Sequence, residues 1–65
     1  LMLNYKLADK VKKTKGYSFN GIIVSVFQKI NGDWRYVVEC TIPGAEGMLH
    51  VFNHDNLELD NASQN

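Results

Sequence analysis

One histidine lies inside an apolar run and is the first side chain that could perform chemistry. His50 belongs to the segment GMLHVF, between a leucine and a valine. Side chains alternate between the two faces of a strand, so Leu49 and Val51 share one face and Met48, His50 and Phe52 share the other. We therefore predict that Leu49 and Val51 are core residues. His50 is then either a functional residue, which can stack and titrate near neutral pH, or an exposed histidine on a half-solvated strand.

Metal and thiol chemistry are the next possibilities. His50 and His54 are four residues apart, which on a strand is ~13 Å and too far to chelate one ion. Cys40 is the only cysteine, so the chain can form neither an internal disulfide nor a multi-cysteine zinc site. We predict no metal and a buried or half-buried thiol. A single free thiol also fits a reducing cytoplasm.

Basic and aromatic side chains offer binding chemistry. A group of lysines could bind the phosphates of a nucleotide or of RNA, or form a solvated edge strand. These are Lys10, Lys12, Lys13 and Lys15. The aromatic residues could form a stacking platform for nucleic acid, or a core or subunit interface. They include Tyr17, Phe19, Phe27, Trp34 and Tyr36. Lysine plus arginine equals aspartate plus glutamate, at 7 each, so the net charge does not indicate a general nucleic-acid binder.

Short strands joined by tight turns must position these residues. The chain has 65 residues, which predicts one small domain. The predicted strands are DKVKK with Val11 in the core, IIVSVFQKI, WRYVVEC, GMLHVF, and a last strand that carries Leu57 after one helical turn. Asn-Gly in NGD predicts a hairpin, and glycines predict turns in TKGYSFNG and IPGAEG. We predict an all-β, small SH3-like barrel over residues 9–59, with a lead-in at 1–8 and a disordered polar tail at 60–65.

The strands carry more apolar surface than one small barrel can enclose. Strict alternation places Ile22, Val24 and Val26 on one face of their strand and Ile23, Ser25 and Phe27 on the other. Another face unites Trp34, Tyr36, Val38 and Cys40. The second apolar set must be covered, and further copies of the chain would form a symmetric oligomer. The alternative is an aromatic groove for a peptide or nucleic acid. No apolar run approaches the ~20 residues of a membrane span, so no membrane partner is expected.

Several of these segments together resemble one known family. The matching segments are DKVKK, Gly16, FNGIIV with Gly21, YVVE at 36–39, Gly47, LHVF and NLE at 56–58. They cover residues 9–58, and the sequence resembles the type II dihydrofolate reductases, the plasmid-borne family associated with trimethoprim resistance. The resemblance implies SH3-like barrels that assemble as a homotetramer around one central pore. NADPH and dihydrofolate enter that pore from opposite ends.

The resemblance also implies site residues. At the family's Val-Gln-Ile-Tyr motif this chain has Leu49, His50, Val51 and Phe52. By resemblance, His50 stacks against the nicotinamide and pterin rings, and the Val51 backbone binds the carboxamide. Phe52 takes the tyrosine position without its hydroxyl. Lys13 matches the pore lysine that attracts the cofactor phosphates and the glutamate tail of the folate.

Two functions follow as expectations. The first is NADPH-dependent reduction of dihydrofolate in the pore of a homotetramer, which confers trimethoprim resistance. In this case His50, Phe52 and Lys13 are the catalytic candidates, and the proton comes from solvent because no pore carboxylate is present. The alternative is a noncatalytic SH3-like module of a phage or bacterial protein, which binds nucleic acid or protein.

Overall fold

The computed structural model describes residues 4–60, which form five strands and one short 3-10 turn. The strands are β1 (Lys10–Lys13), β2 (Asn20–Gln28), β3 (Trp34–Cys40), β4 (Leu49–Asn53) and β5 (Leu57–Leu59), and the 3-10 turn is His54–Asn56. All strand pairs are antiparallel and belong to one sheet. The predicted all-β class is confirmed. Residues 4–60 contain no helix that is long and apolar enough to cross a membrane.

The sheet is curled but does not close into a barrel. Its strand order is β4-β3-β2-β1-β5, so β4 and β5 are the two edges. These edges are consecutive in the chain and are separated only by the 3-10 turn, which can span no more than ~10 Å. The sheet therefore has to curl to bring its edges near each other. No ladder joins β4 to β5 in the described part of the chain, because a 3-10 turn connects them instead of a hairpin.

The predicted Asn-Gly hairpin joins β2 to β3. The backbone N–H of Lys29 donates to the carbonyl of Asp33 at 2.8 Å. Asn31 Oδ1 accepts from the Asp33 N–H at 3.0 Å. Gly32 has a φ of 94°, a conformation that costs glycine little because it has no Cβ. The turn residues therefore fix the register that aligns β2 with β3.

One core cluster lies inside the curl. Its buried members are Val11, Phe19, Ile23, Tyr36, Val38, Cys40, Phe52 and Leu57. The predictions for Val11, for Leu57 and for the shared face of β3 are confirmed. Cys40 is 2% exposed, as predicted for a buried thiol, and its Sγ accepts a contact from the Ile42 N–H at 3.4 Å.

The predicted core pair of β4 is wrong. Leu49 and Val51 are each 58% exposed, whereas Phe52 is 6% exposed. The register explains the reversal, because Tyr36 pairs with Phe52 and Val37 pairs with Val51. Residues directly opposite each other share a face of the sheet. Since Tyr36 faces the core, Phe52 must do so as well.

The predicted faces of β2 also need correction. The register of β2 against β3 shifts between Ile23 and Ser25, which leaves Val24 as the extra residue of a β-bulge. A bulge inserts one residue and so reverses the alternation beyond it. Val24 is therefore 43% exposed, while Ile23 is buried and Val26 packs against the core.

The lead-in segment closes one end of the core. Tyr5 packs edge-on against Tyr36, with ring centroids 5.3 Å apart, and its hydroxyl donates to the carbonyl of Leu57 at 2.7 Å. Burial raises the pKa of the Tyr5 hydroxyl, and nearby Tyr36 and Glu58 act in the same direction. The hydroxyl therefore stays protonated and can donate.

The last residue that the structure describes is Asp60. Its N–H donates to the carbonyl of Lys10 at 2.9 Å, and its carboxylate accepts from Asn20 Nδ2 at 3.1 Å. Asp60 thus extends the β1–β5 pairing by one residue. The rest of the predicted disordered tail, residues 61–65, and positions 1–3 of the predicted lead-in lie outside the described residues.

Acid is expected to weaken the turn before β1. Asp9 Oδ1 contacts Lys6 Nζ at 2.9 Å, and Asp9 Oδ2 accepts from the Lys6 N–H at 3.0 Å. Burial acts to raise the pKa of Asp9, but these Lys6 interactions outweigh it and lower the pKa below 3.8. A lowered folded-state pKa stabilises the fold above pH 3.8, and the stabilisation is lost as the pH falls through the folded value.

The matched variant is Asp9→Asn, measured by urea unfolding at pH 7 and at pH 3. Because Lys6 is exposed, we expect the contribution to be only ~0.5 kcal/mol at pH 7. The parent should lose more stability than the variant between the two pH values. Equal losses would show that the carboxylate does not stabilise the turn.

Candidate functional site

The structure brings a lysine, a tyrosine and a histidine from three parts of the chain together. Lys13 ends β1, Tyr17 lies in the β1–β2 loop, and His50 is on β4. Lys13 Nζ is 4.4 Å from the centroid of the Tyr17 ring, within the range of a cation–π contact. The Tyr17 hydroxyl is 3.4 Å from His50 Nδ1. With Phe19, these residues form what we call the Lys13–His50 patch.

Aromatic rings support His50 from the core side. The His50 ring stacks on Phe19 with centroids 4.5 Å apart and planes inclined by 21°. Phe19 in turn meets Phe52 edge-on at 5.2 Å. Stacking of this kind fixes the plane of a ring without a hydrogen bond. His50 is half-buried, so the patch has a rigid apolar base and a polar rim.

Local backbone geometry builds the patch. The Lys13 N–H donates to the carbonyl of Phe19 at 2.8 Å and closes the β1–β2 loop. Gly16 has a φ of 85°, and a Cβ there would lie 2.8 Å from Lys13 Nζ. Lys13 Nζ also donates to the carbonyl of Lys15. The glycine therefore permits the reversal of the loop and leaves the space that the ammonium group occupies.

The other predicted site residues have different surroundings. Val51 points to the outer face of the sheet, away from His50, and the predicted contact of its backbone with a cofactor stays a prediction. Phe52 is buried behind Phe19 and His50, where it supports the patch, and direct contact of its ring with a ligand also stays a prediction.

Among the remaining lysines of the run, Lys15 contacts the patch through its backbone carbonyl, which accepts from Lys13 Nζ. Lys12 Nζ lies 3.7 Å from Glu58 Oε2 on the neighbouring strand β5. This weak pair lies at the surface. The interpretation of the lysine run as an edge strand is wrong, because β1 pairs with both β2 and β5. Lys13 is thus the lysine that the structure distinguishes.

Tyr17 is the residue that sequence reasoning did not single out. The sequence presents it only as one of several aromatic residues, with no sign that it bridges Lys13 and His50. The available signal was its position in a glycine-containing loop directly after the lysines. Tyr17 is 59% exposed, compared with 42% for Phe27 and 37% for Trp34.

His54 lies in separate surroundings. It stacks on Tyr5 at 4.9 Å, while His50 stacks on Phe19. Among residues 4–60, no three His, Cys, Asp or Glu side chains lie close enough together to hold a metal ion. A cleft of about 330 Å³ lies beside His54 and is lined in part by Trp34 and Arg35. The Lys13–His50 patch does not line this cleft.

Comparisons with protein-family models, with curated proteins and with solved structures give no match for this chain. The function must therefore be argued from the residues themselves. Those residues place a cation beside exposed and stacked rings. This combination suits a ligand that has both a planar ring and a negative charge.

Proposed function

We propose that the chain is an NADPH-dependent dihydrofolate reductase of the type II kind, active as a homotetramer in a reducing cytoplasm and able to confer trimethoprim resistance. The observation that carries the proposal is the Lys13–His50 patch. Lys13 and His50 are two of the side chains that the resemblance assigns to the pore, and Tyr17 contacts both of them.

The side chains of the patch fit the two ligands. Lys13 supplies a positive charge for the cofactor phosphates and for the glutamate tail of dihydrofolate. His50, supported by Phe19, offers a flat surface for the nicotinamide and pterin rings. NADPH, when bound, supplies the hydride for the pterin ring. The protein acts mainly by holding the two flat ligands in register.

Tyr17 sets the hydrogen-bonding character of His50. If its hydroxyl donates to Nδ1, the His50 proton resides on Nε2. His50 then donates a hydrogen bond from Nε2, as the family's glutamine amide does. None of the patch side chains is a carboxylic acid, so the proton required by the pterin ring is taken from solvent.

Assembly is part of the proposal. One chain presents one patch, and a pore requires several copies to converge on a symmetry axis. Exposed apolar residues on the outer face, among them Leu49 and Val51, provide surface for association.

A noncatalytic SH3-like module is the second candidate, and one observation favours it. Tyr17 is 59% exposed and lies beside the Lys13 ammonium group. A base of single-stranded nucleic acid could stack on this ring while its phosphate pairs with the lysine. Such binding needs only one chain and no pore.

Turnover and binding assays test the proposal. The protein should oxidise NADPH when dihydrofolate is added, and saturating trimethoprim should leave the rate unchanged. We expect Lys13→Met to weaken NADPH binding about tenfold, or ~1.4 kcal/mol, and added salt to act in the same direction. Lys12→Met is the matched control, because Lys12 pairs with Glu58 and should change binding little.

Variants of the histidine separate its roles. His50→Ala should abolish binding of both ligands, because the stacking surface disappears from every copy. His50→Gln should retain binding, since its amide can stack and donate. Tyr17→Phe should weaken binding but keep the fold. A monomer that does not bind NADPH but binds single-stranded RNA would replace the enzyme proposal with the second candidate.

A further inference from the structure

The outer face of the sheet carries an ordered set of side chains around β3. Arg35, Val37 and Glu39 point outward from this central strand. On β4, Asn53, Val51 and Leu49 lie directly opposite them. The residues of β2 that lie directly opposite the same three are Phe27, Ser25 and Ile22. The middle row of the face therefore consists of Val51, Val37 and Ser25, and it lies between one row with the positive Arg35 and one row with the negative Glu39.

The apolar part of this face is open. Leu49 and Val51 are each 58% exposed, and Phe27 is 42% exposed. Val51 lies opposite Val37, so the exposed groups are contiguous across β3 and β4. Soluble monomers rarely leave a contiguous apolar surface of this kind uncovered.

The two charges at the ends of the face are complementary to each other but cannot meet within one chain. Arg35 and Glu39 are four residues apart on β3, which on a strand is ~13 Å. Neither forms an ion pair within residues 4–60. A surface with opposite charges at equal distances from its centre can satisfy both by packing against a copy of itself.

The charges also select the symmetry. Two sheets can pack face to face with Val37 on a two-fold axis in two ways. An axis parallel to β3 places Arg35 opposite the partner's Arg35, which is repulsive. An axis across β3 makes the strands antiparallel and places Arg35 opposite the partner's Glu39. In that arrangement Val37 and Val51 meet their own copies.

We propose that this outer face is a two-fold interface between two copies of the chain, with antiparallel β3 strands packed around Val37 and two symmetric Arg35–Glu39 pairs at its ends. The interface leaves the Lys13–His50 patch free, because His50 lies on the core side of β4. Within the proposed function, it supplies one of the two-fold contacts of the tetramer. It can also exist in a simple dimer.

A charge exchange tests the proposal. Arg35→Glu and Glu39→Arg would each create two like-charge contacts, and each should raise the dissociation constant of the dimer at least ~tenfold. The double variant exchanges the charges and should return the constant to within ~threefold of the parent. Sedimentation velocity over a concentration series gives the constants. Circular dichroism should show an unchanged fold, since these side chains point away from the core.

Val37→Lys provides a second test, because it places two ammonium groups opposite each other on the axis and should give a monomer. If all variants keep the parent's association, the interface is wrong, although a tetrameric mass would leave the proposed enzyme intact. A parent that is monomeric at every concentration would overturn both proposals. A charge-sensitive dimer that never forms a tetramer would support the interface and contradict the pore.

Discussion

Replacing Gly21 with alanine is expected to unfold the protein. Gly21 lies in β2, paired with Val11 on β1 and with Cys40 on β3. A Cβ at this position would lie 2.2 Å from the carbonyl oxygen of Glu39 and 2.7 Å from Cγ1 of Val38. The oxygen belongs to the backbone of a central strand, so it can move only if the ladder shifts.

The expected cost is large in relation to the total stability. A chain of this length has a free energy of unfolding of ~3–10 kcal/mol, and overpacking against a fixed backbone can remove ~3 kcal/mol or more. Gly44→Ala is the matched control, because no atom lies within 4 Å of its Cβ position. Its φ of 92° should still cost about 1 kcal/mol.

Circular dichroism and urea unfolding of both variants provide the measurement. Gly21→Ala should lack the sheet signal or unfold at much lower urea than Gly44→Ala. If the two variants unfold at similar urea concentrations, the backbones of β2 and β3 cannot be as close at Gly21 as they are in this structure.

The second large effect concerns β4. Phe52→Ala should lower the free energy of unfolding by ~3–5 kcal/mol, because the ring is buried and leaves a cavity beside Phe19 and Tyr36. Val51→Ala should change the free energy of unfolding by no more than ~0.5 kcal/mol, since the Val51 side chain is exposed. Urea unfolding should be done in dilute protein, where association contributes little to the measured stability.

The opposite ranking would reverse the conclusion about the strand. If Val51→Ala were the more damaging change, Leu49 and Val51 would form the core pair that simple alternation suggests. His50 would then point away from the core. The stacking of His50 on Phe19 would no longer describe the molecule, and the Lys13–His50 patch would have to be abandoned.

The positions of the strands were predictable because local residue types determine them. β-branched and aromatic runs mark β2 and β3, and Asn31-Gly32 marks the turn between them. Val11 was a predictable core residue because it is the one apolar side chain of the short strand β1. These choices depend on a few neighbouring residues and not on the rest of the fold.

The faces of β2 and β4 were harder to predict. In β4 both alternating sets are largely apolar, so hydrophobicity alone cannot choose between Val51 and Phe52. Pairing of β4 with β3 makes the choice, since the side chain opposite Tyr36 must share its face. The bulge at Val24 has a similar origin, because it depends on the register between two strands.

Lys13 and His50 were predictable members of the candidate site, but the bridging role of Tyr17 was not. Lys13 and His50 were identified by residue type and by resemblance, but they are 37 positions apart in the sequence. Tyr17 joins them only because the loop reverses at Gly16, so the β1–β2 loop comes near β4. Such a contact follows from tertiary structure, which residue spacing does not encode.

The buried Cys40 thiol is a built-in probe of local unfolding. It is the only cysteine in the sequence and is 2% exposed, on the central strand next to the Gly21 contact. A thiol reagent can therefore label the folded chain only during moments when β3 separates from its neighbours. The labelling rate measures how often this happens, without an added dye or a mutation, and a ligand that tightens the assembly would slow it.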